Sequence, residues 1–166
     1  MPKVAFAPII DSNSRILLLG TMPSEESLRK QEYYGHKSNQ FWKIIFSIYN
    51  KPFSLDYRER VALLHEKGIA LWDVLQSCEG KGSADSNIVN GKPNDFTFLF
   101  NHYPQIRHVF FTSRNAEIFY KKYISTDILI GYSTLPSPSS AYASMRLEEK
   151  TQKWRVALSS YLDLNV

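Results

Sequence analysis

Four consecutive large aliphatics, Ile16 to Leu19, run without a break into Gly20-Thr21-Met22-Pro23-Ser24. A strand with no polar alternation is buried on both faces, and such strands belong to parallel sheets covered by helices. The run therefore commits the chain to an α/β architecture in which a strand ends in a loop. Gly20 lets backbone come close to a ligand, Pro23 stiffens the turn, and open α/β sheets bind ligands beyond the carboxyl ends of their strands. Shortly afterwards come Tyr33-Tyr34-Gly35-His36 and Asn39, directly before an amphipathic run that opens on Phe41-Trp42. Few folds need so many aromatic and amide groups in one loop.

The rest of the chain alternates in the same manner. Residues 1–15 read as a lead-in with a turn at Asp11-Ser12-Asn13-Ser14. Asn39 to Tyr49 carries Phe41, Trp42, Ile44, Ile45 and Ile48 at helical spacing and is ended by Lys51-Pro52. A second helix is predicted from Tyr57 to Lys67, with Ser54 as its cap and Gly68 suited to the left-handed position past its end. Ile69 to Leu75 reads as a second buried strand, His108 to Thr112 as a third and Asp127 to Ile130 as a short fourth. Further helices are predicted from Asn94 or Asp95 to His102, from Asn115 to Tyr123 after Ser113, and from Ser144 to about Leu162. This order predicts an α/β fold: a three-layer α/β/α sandwich with a central, mostly parallel sheet of about four strands, residues 1–166 forming one domain.

The unusual loops, Gly20–Ser38, Gln76–Asn94 and Leu135–Ala143, all follow strands. Across Gln76–Asn94, about nineteen residues, the apolar pattern fails, and loops that long inside a compact domain are usually functional or disordered. Pro136 and Pro138 bar helix and central strand from Leu135–Ser140. In a parallel sheet these loops converge on one edge, the expected active face. Cys78 is the only cysteine, which excludes a disulfide framework, a zinc knuckle and a four-cysteine cluster. His36, His65, His102 and His108 lack ligand spacing, so no metal is expected. No apolar run approaches a membrane span and the N-terminus lacks a signal-peptide core, so a cytoplasmic monomer without membrane contact is expected. The 14% aromatic content serves either core packing or stacking on a planar ligand, and a net charge of +4 is compatible with a polyanionic partner.

With the loops placed, the sequence resembles the uracil-DNA glycosylase superfamily, and within it the hypoxanthine-DNA (deoxyinosine) glycosylase branch. The resemblance is carried by Gly20 to Ser24, Tyr33 to Trp42, Gly68 to Val74 with Gly82 to Ser86, and Leu135 to Ala141, in family order across nearly the whole chain. Tyr33 to Trp42 is the most specific segment. The mismatch-specific uracil glycosylase branch looks similar too, through its own His…Asn…Phe-Trp segment and a Pro-Ser loop near the C-terminus.

The resemblance implies cleavage of the N-glycosidic bond between deoxyribose and a damaged base in DNA, hypoxanthine in this branch, with no metal or organic cofactor. It places Gly20, Thr21, Met22, Pro23, Ser24, Tyr34, Asp73, Ser83 and Asp85 around the everted base. Asn39 and His36 are the implied chemical residues; Lys37, Ser137, Pro138, Ser139, Ser140, Ala141 and Tyr142 are implied at the DNA backbone. Met22 stands where the family often has an acidic or amide group that positions water, which a thioether cannot do. Attention therefore turns to Asn39, whose amide can orient water or donate to the departing base but cannot act as a base.

Each assignment has a structural alternative. Tyr34 could be packing, Asn39 a helix cap, His36 a loop hydrogen bond, and Ser83 with Asp85 a solvated loop. Asp73 reads as a pocket group or, preferably, as an acceptor pinning a loop. Lys37 replaces a proline common after the histidine, Tyr142 suits a wedge better than the small Ala141, and Phe110 to Ser113 departs from the Phe-Asn-Gly of relatives. The motifs hold no lysine matching a Schiff-base nucleophile, so the implied enzyme is monofunctional. Two alternatives stand beside it: a uracil or mismatch glycosylase, against which Met22 counts, and a catalytically idle nucleic-acid-binding module.

Overall fold

The computed structural model describes residues 2–164. Its centre is β2 (Ile16–Gly20), flanked by β3 (Ile69–Asp73) and β6 (His108–Phe111), with β7 (Gly131–Thr134) outermost on the β6 side. All three pairings are parallel. Ile16, Leu17, Leu18 and Leu19 are each fully buried because consecutive side chains enter opposite cores. Ile16 and Leu18 pack with α2 (Phe41–Ile48), α3 (Tyr57–Lys67) and α6 (Leu147–Leu158) through Ile45, Leu64 and Trp154. Leu17 and Leu19 pack with α4 (Phe96–His102) and α5 (Arg114–Tyr123) through Phe96, Leu99, Ala116 and Tyr120. One strand thereby holds both helical layers, each buried aliphatic contributing about 1.5–3 kcal/mol. The expected α/β/α sandwich with a four-stranded parallel sheet is what the chain forms.

Local chemistry sets the helix ends. Asp56, not Ser54, caps α3, its carboxylate accepting from the Arg58 amide at 2.9 Å while the Ser54 hydroxyl accepts from the Asp56 amide. Gly68 then takes the left-handed conformation at φ 73° expected of it and donates back to the Leu64 and His65 carbonyls. Asp95 and Ser113 cap α4 and α5 in the same way.

The structure corrects several boundaries. Gln76–Asn94 is not one irregular loop: β4 (Leu75–Glu79) and β5 (Val89–Pro93) pair antiparallel across a short 3-10 turn at Asp85–Asn87. The lead-in supplies β1 (Lys3–Val4), which completes this second sheet in the order β1-β4-β5. The hairpin is mostly solvated, so its pairing rests on backbone hydrogen bonds and leaves little apolar alternation to detect. The second buried strand accordingly ends at Asp73 instead of Leu75. The fourth strand of the main sheet is Gly131–Thr134, not Asp127–Ile130. Ile128 and Ile130 pack against the core while Leu129 is exposed, whereas the edge strand that forms the ladder needs no apolar run. The last helix spans Leu147–Leu158, shorter than Ser144 to Leu162. An unforeseen helix, α1 (Glu25–Lys30), lies inside the first loop, capped by the Ser24 hydroxyl accepting from the Ser27 amide. No helix among the described residues is long and apolar enough to cross a membrane.

Candidate active site

The carboxyl ends of β2, β3, β6 and β7 open onto one cleft of about 1430 Å³. Every site residue expected from the sequence lines it except Lys37, which is exposed on the loop between two residues that do, His36 and Ser38. Tyr34, Asn39 and Pro138, remote from one another along the chain, share this wall. Topology accounts for the convergence: parallel strands send all their following loops to one edge.

At the floor, three side chains meet over Gly20. A Cβ built on Gly20 would lie 2.7 Å from Asp73 Oδ1, 3.0 Å from the Tyr34 hydroxyl and 3.6 Å from Thr112 Oγ1. Glycine is thus required here by crowding from the protein's own side chains, a more specific reason than close approach of a ligand. Gly20→Ala is expected to lower stability by about 1–3 kcal/mol through overpacking and to displace Tyr34. A denaturation midpoint equal to wild type would show that the carboxyl and phenol swing aside without cost.

Tyr34 is fixed from three directions. Its ring stacks on Phe41 with centroids 4.1 Å apart and planes 8° apart, its hydroxyl lies 2.9 Å from Thr112 Oγ1, and its backbone holds φ 51°. A left-handed tyrosine costs on the order of 1–3 kcal/mol and persists only where the surroundings overdetermine it. Phe41 covers one ring face, and Tyr34 is among the residues that line the cleft. Tyr33 by contrast is a core residue: its hydroxyl donates to Ala7 O, and Trp42 Nε1 donates to its carbonyl.

Asn39 combines two functions in one amide. Its Oδ1 accepts from the Phe41 amide at 2.9 Å and so caps α2, for which Gln40 provides no side-chain bond. That bond assigns the oxygen, and it leaves Nδ2 as the group free to donate into the cleft. Beside it, His36 Nδ1 accepts from the Ser38 amide at 3.1 Å and lies 2.8 Å from the Ser38 hydroxyl. Accepting at Nδ1 puts the proton of the neutral ring on Nε2.

Asp73 is 4% exposed, and its Oδ2 has no hydrogen-bond partner among the described residues. The preferred loop-pinning role is therefore corrected: the Asn94 amide donates to the Asp73 main-chain carbonyl, not to its carboxylate. Burial, with the nearby Asp85 charge, pushes the Asp73 carboxyl up to about 7. Burial also raises Asp85, against the pull of the Thr21 and Asn115 side chains beside it. Ser83 has a structural duty, its hydroxyl accepting from the Glu25 amide while Glu25 accepts from Gly82 N. Those bonds hold the hairpin tip against α1 and keep Asp85 at the cleft.

The opposite wall is the Leu135–Tyr142 loop, braced by its own serines: Ser139 N donates to Ser137 Oγ and Ala141 N to Ser139 Oγ. It is fastened to the Asn39 loop by Gln40 N donating to Pro138 O at 2.8 Å and by the Ser140 and Ser38 hydroxyls 3.1 Å apart. Sequence reading missed Thr112, Asn115, Met145 and Lys153 in the lining. Thr112 had a visible signal, since it stands where Phe110 to Ser113 departs from the family pattern.

A family model described as the uracil DNA glycosylase superfamily matches residues 7–163. The chain belongs to the uracil DNA glycosylase superfamily. Two members similar to it are both named hypoxanthine DNA glycosylase. That of Methanosarcina barkeri is 33% identical over 159 residues, covering 95% of this chain and 98% of the relative. That of Methanosarcina acetivorans is 35% identical over 153 residues, covering 92% and 94%. A solution NMR structure of a Methanosarcina acetivorans chain named for uracil DNA glycosylase superposes with TM-score 0.78 at 31% identity, covering 96% of this chain and 98% of that one. As a superfamily member the chain places its expected motifs, Gly20 to Ser24, Tyr33 to Trp42 and Leu135 to Ala141, around a single cleft.

Proposed function

We propose that this protein, acting as one domain, is a monofunctional DNA glycosylase that hydrolyses the N-glycosidic bond of hypoxanthine in deoxyinosine and leaves an abasic site. The observation that carries the reading is that Asn39, whose oxygen is held by Phe41 and whose Nδ2 has no partner among the described residues, lines the same cleft as the fixed aromatic Tyr34, in a chain whose relatives over nearly its full length are named for this activity. A base inside a duplex is out of reach, so the enzyme everts it, stacks it and reads its edge. Tyr34 supplies the stacking face. Asp73, neutral in a substantial fraction at and below pH 7, presents a carboxyl that can donate to an acceptor on the purine edge.

Bond cleavage leaves negative charge on the departing purine, and a fixed donor aimed at that charge stabilises the transition state more than the ground state. Asn39 Nδ2 is that donor, with His36 Nε2–H beside it as a second. Its own Oδ1 is held by the helix, so the amide does not reorganise as charge develops. Ser137 to Ala141 and Lys37 hold the DNA backbone, and Tyr142, 40% exposed at the cleft, fills the space left by the everted base.

Labelled duplexes carrying hypoxanthine, uracil or xanthine decide the matter. Incubation followed by alkali is expected to give strand breaks at hypoxanthine, and none before alkali. Breaks at uracil alone would reassign the substrate, and binding with no breaks would make the chain an idle module.

A further inference from the structure

Hydrolysis makes two demands at C1′ of the target nucleotide: charge on the departing base must be stabilised on one side, and a proton of the attacking water needs an acceptor on the other. Asn39 and His36 meet only the first. Asn39 Oδ1 is held by the Phe41 amide and His36 Nδ1 by Ser38, so what both offer the cleft is an N–H donor. A donor cannot take a proton from water. Asn39 caps α2, and the Pro138 loop is tied to Gln40 beside it; α2 and α6 form the layer packed on Ile16 and Leu18. The acceptor must therefore come from the opposite side of the sheet edge, where α4 and α5 pack on Leu17 and Leu19.

Two acids line the cleft, Asp73 and Asp85. Asp73 stands at the floor over Gly20 and, pushed up to about 7, is neutral in a substantial fraction. Asp85 opens the 3-10 turn of the hairpin, beside Thr21 and beside Asn115 in the first turn of α5. Burial raises its pKa, while those two side chains favour its charged form. The Thr21 hydroxyl, on a residue 6% exposed that lines the same cleft, approaches Asp85 without reaching hydrogen-bond geometry with it or with any other described residue. The titratable or charged groups that share the surroundings of Asp85 are Asp73, Tyr34, Cys78, Glu79, Lys3 and Arg114. Among the described residues no ion pair within 4.0 Å includes Asp85, so its carboxylate is not spent on a structural partner. We infer that Asp85 is the general base of the hydrolysis, its carboxylate and the Thr21 hydroxyl holding the attacking water on the face of C1′ opposite Asn39. In that step the water oxygen bonds to C1′ as the C1′–N9 bond breaks and its electron pair leaves with the purine. Asp85 takes one proton of the water and returns it to solvent, from which the purine anion takes up its own. The assignment rests on the glycosylase reading of the cleft.

The test is single-turnover release of hypoxanthine, set beside binding to a duplex with a stable abasic analogue, for wild type, Asp85→Asn and Thr21→Val. Asp85→Asn is expected to slow release by about 10²–10⁴-fold, the usual contribution of a positioned base, while binding of the analogue is kept. Thr21→Val is expected to slow it by up to about tenfold, as for one hydrogen bond, and a wild-type rate there removes the hydroxyl from the water site. Sodium azide, an anionic nucleophile with no proton to lose, is expected to restore release in Asp85→Asn by forming the glycosyl azide. Asp85→Asn at the wild-type rate overturns the proposal, as does a rate lost only in proportion to binding or a slow variant that azide leaves slow. Should the variant not fold, wild type answers through pH. Release is expected to fall toward acid as Asp85 takes a proton, above the ordinary carboxylate range, and a rate that stays level down to about pH 4 overturns the assignment. Wild type that cleaves at hypoxanthine with an equally fast Asp85→Asn leaves the enzyme reading standing and removes this one. Wild type that cleaves at no deaminated base removes both.

Discussion

Asn39→Ala is expected to slow single-turnover release of hypoxanthine by about 10²–10³-fold, the usual consequence of removing one donor aimed at developing negative charge. The same change removes the α2 cap and so costs about 1 kcal/mol of stability. The two effects separate in Asn39→Asp. Its carboxylate still accepts from the Phe41 amide, so the melting midpoint is expected to stay near wild type. Its second oxygen replaces the donor with negative charge beside a departing anion, so the rate is expected to fall at least as far as in the alanine variant. An aspartate variant with wild-type rate would reduce Asn39 to a cap. The alanine variant losing stability alone would say the same.

Asp73→Asn is expected to stabilise the protein and impair it at once. A carboxyl whose folded pKa is raised from 3.8 to about 7 favours the fold in its neutral form. Its stabilising contribution is complete below the unfolded value and is lost as pH rises through about 7. The difference corresponds to about 4 kcal/mol at most, taking 1.36 kcal/mol for each unit. Asparagine carries no charge, so the variant's advantage over wild type should be small near pH 4 and reach a few kcal/mol near pH 8, read from denaturant unfolding at both values. Turnover is expected to fall at pH 6, where the wild-type carboxyl is mostly protonated, because the amide, though of the same shape, is a weaker donor than a carboxyl O–H and cannot transfer a proton. Stability bought at the expense of activity is the mark of a group retained for function. An advantage independent of pH would mean that the carboxylate finds a partner in solution and is not the orphan the cleft presents. Asp85→Asn offers a check from the other side, since removing that neighbouring charge should move the Asp73 transition to lower pH.

Much of the site was legible residue by residue. Tyr34, Asn39 and the Leu135–Tyr142 loop were expected to meet, and do line one cleft, because loops after parallel strands share an edge. What those side chains do to one another was not legible. That Asn39 spends its oxygen on a cap and keeps its nitrogen for the cleft depends on the helix beginning at Phe41 and not at Asn39, an offset below the resolution of periodicity. Thr112 entered only because β6 brings its end within 2.9 Å of the Tyr34 hydroxyl. The β4–β5 hairpin escaped notice since β5 is mostly solvated and β4 buries only Leu75 and Cys78, which leaves no hydrophobic period to mark the pair.

The α/β class, the parallel main sheet and the edge at which the loops meet were determined by the linear pattern alone, while the second sheet, α1 and the place of the fourth main-sheet strand were not. Runs such as Ile16 to Leu19 and caps such as Gly68 express their preferences within a few residues. The charge state of Asp73 and the crowding over Gly20 were decided only by the tertiary structure. Each depends on desolvation and on neighbours supplied by other elements, and the free energy of a charge is set by what surrounds it in space.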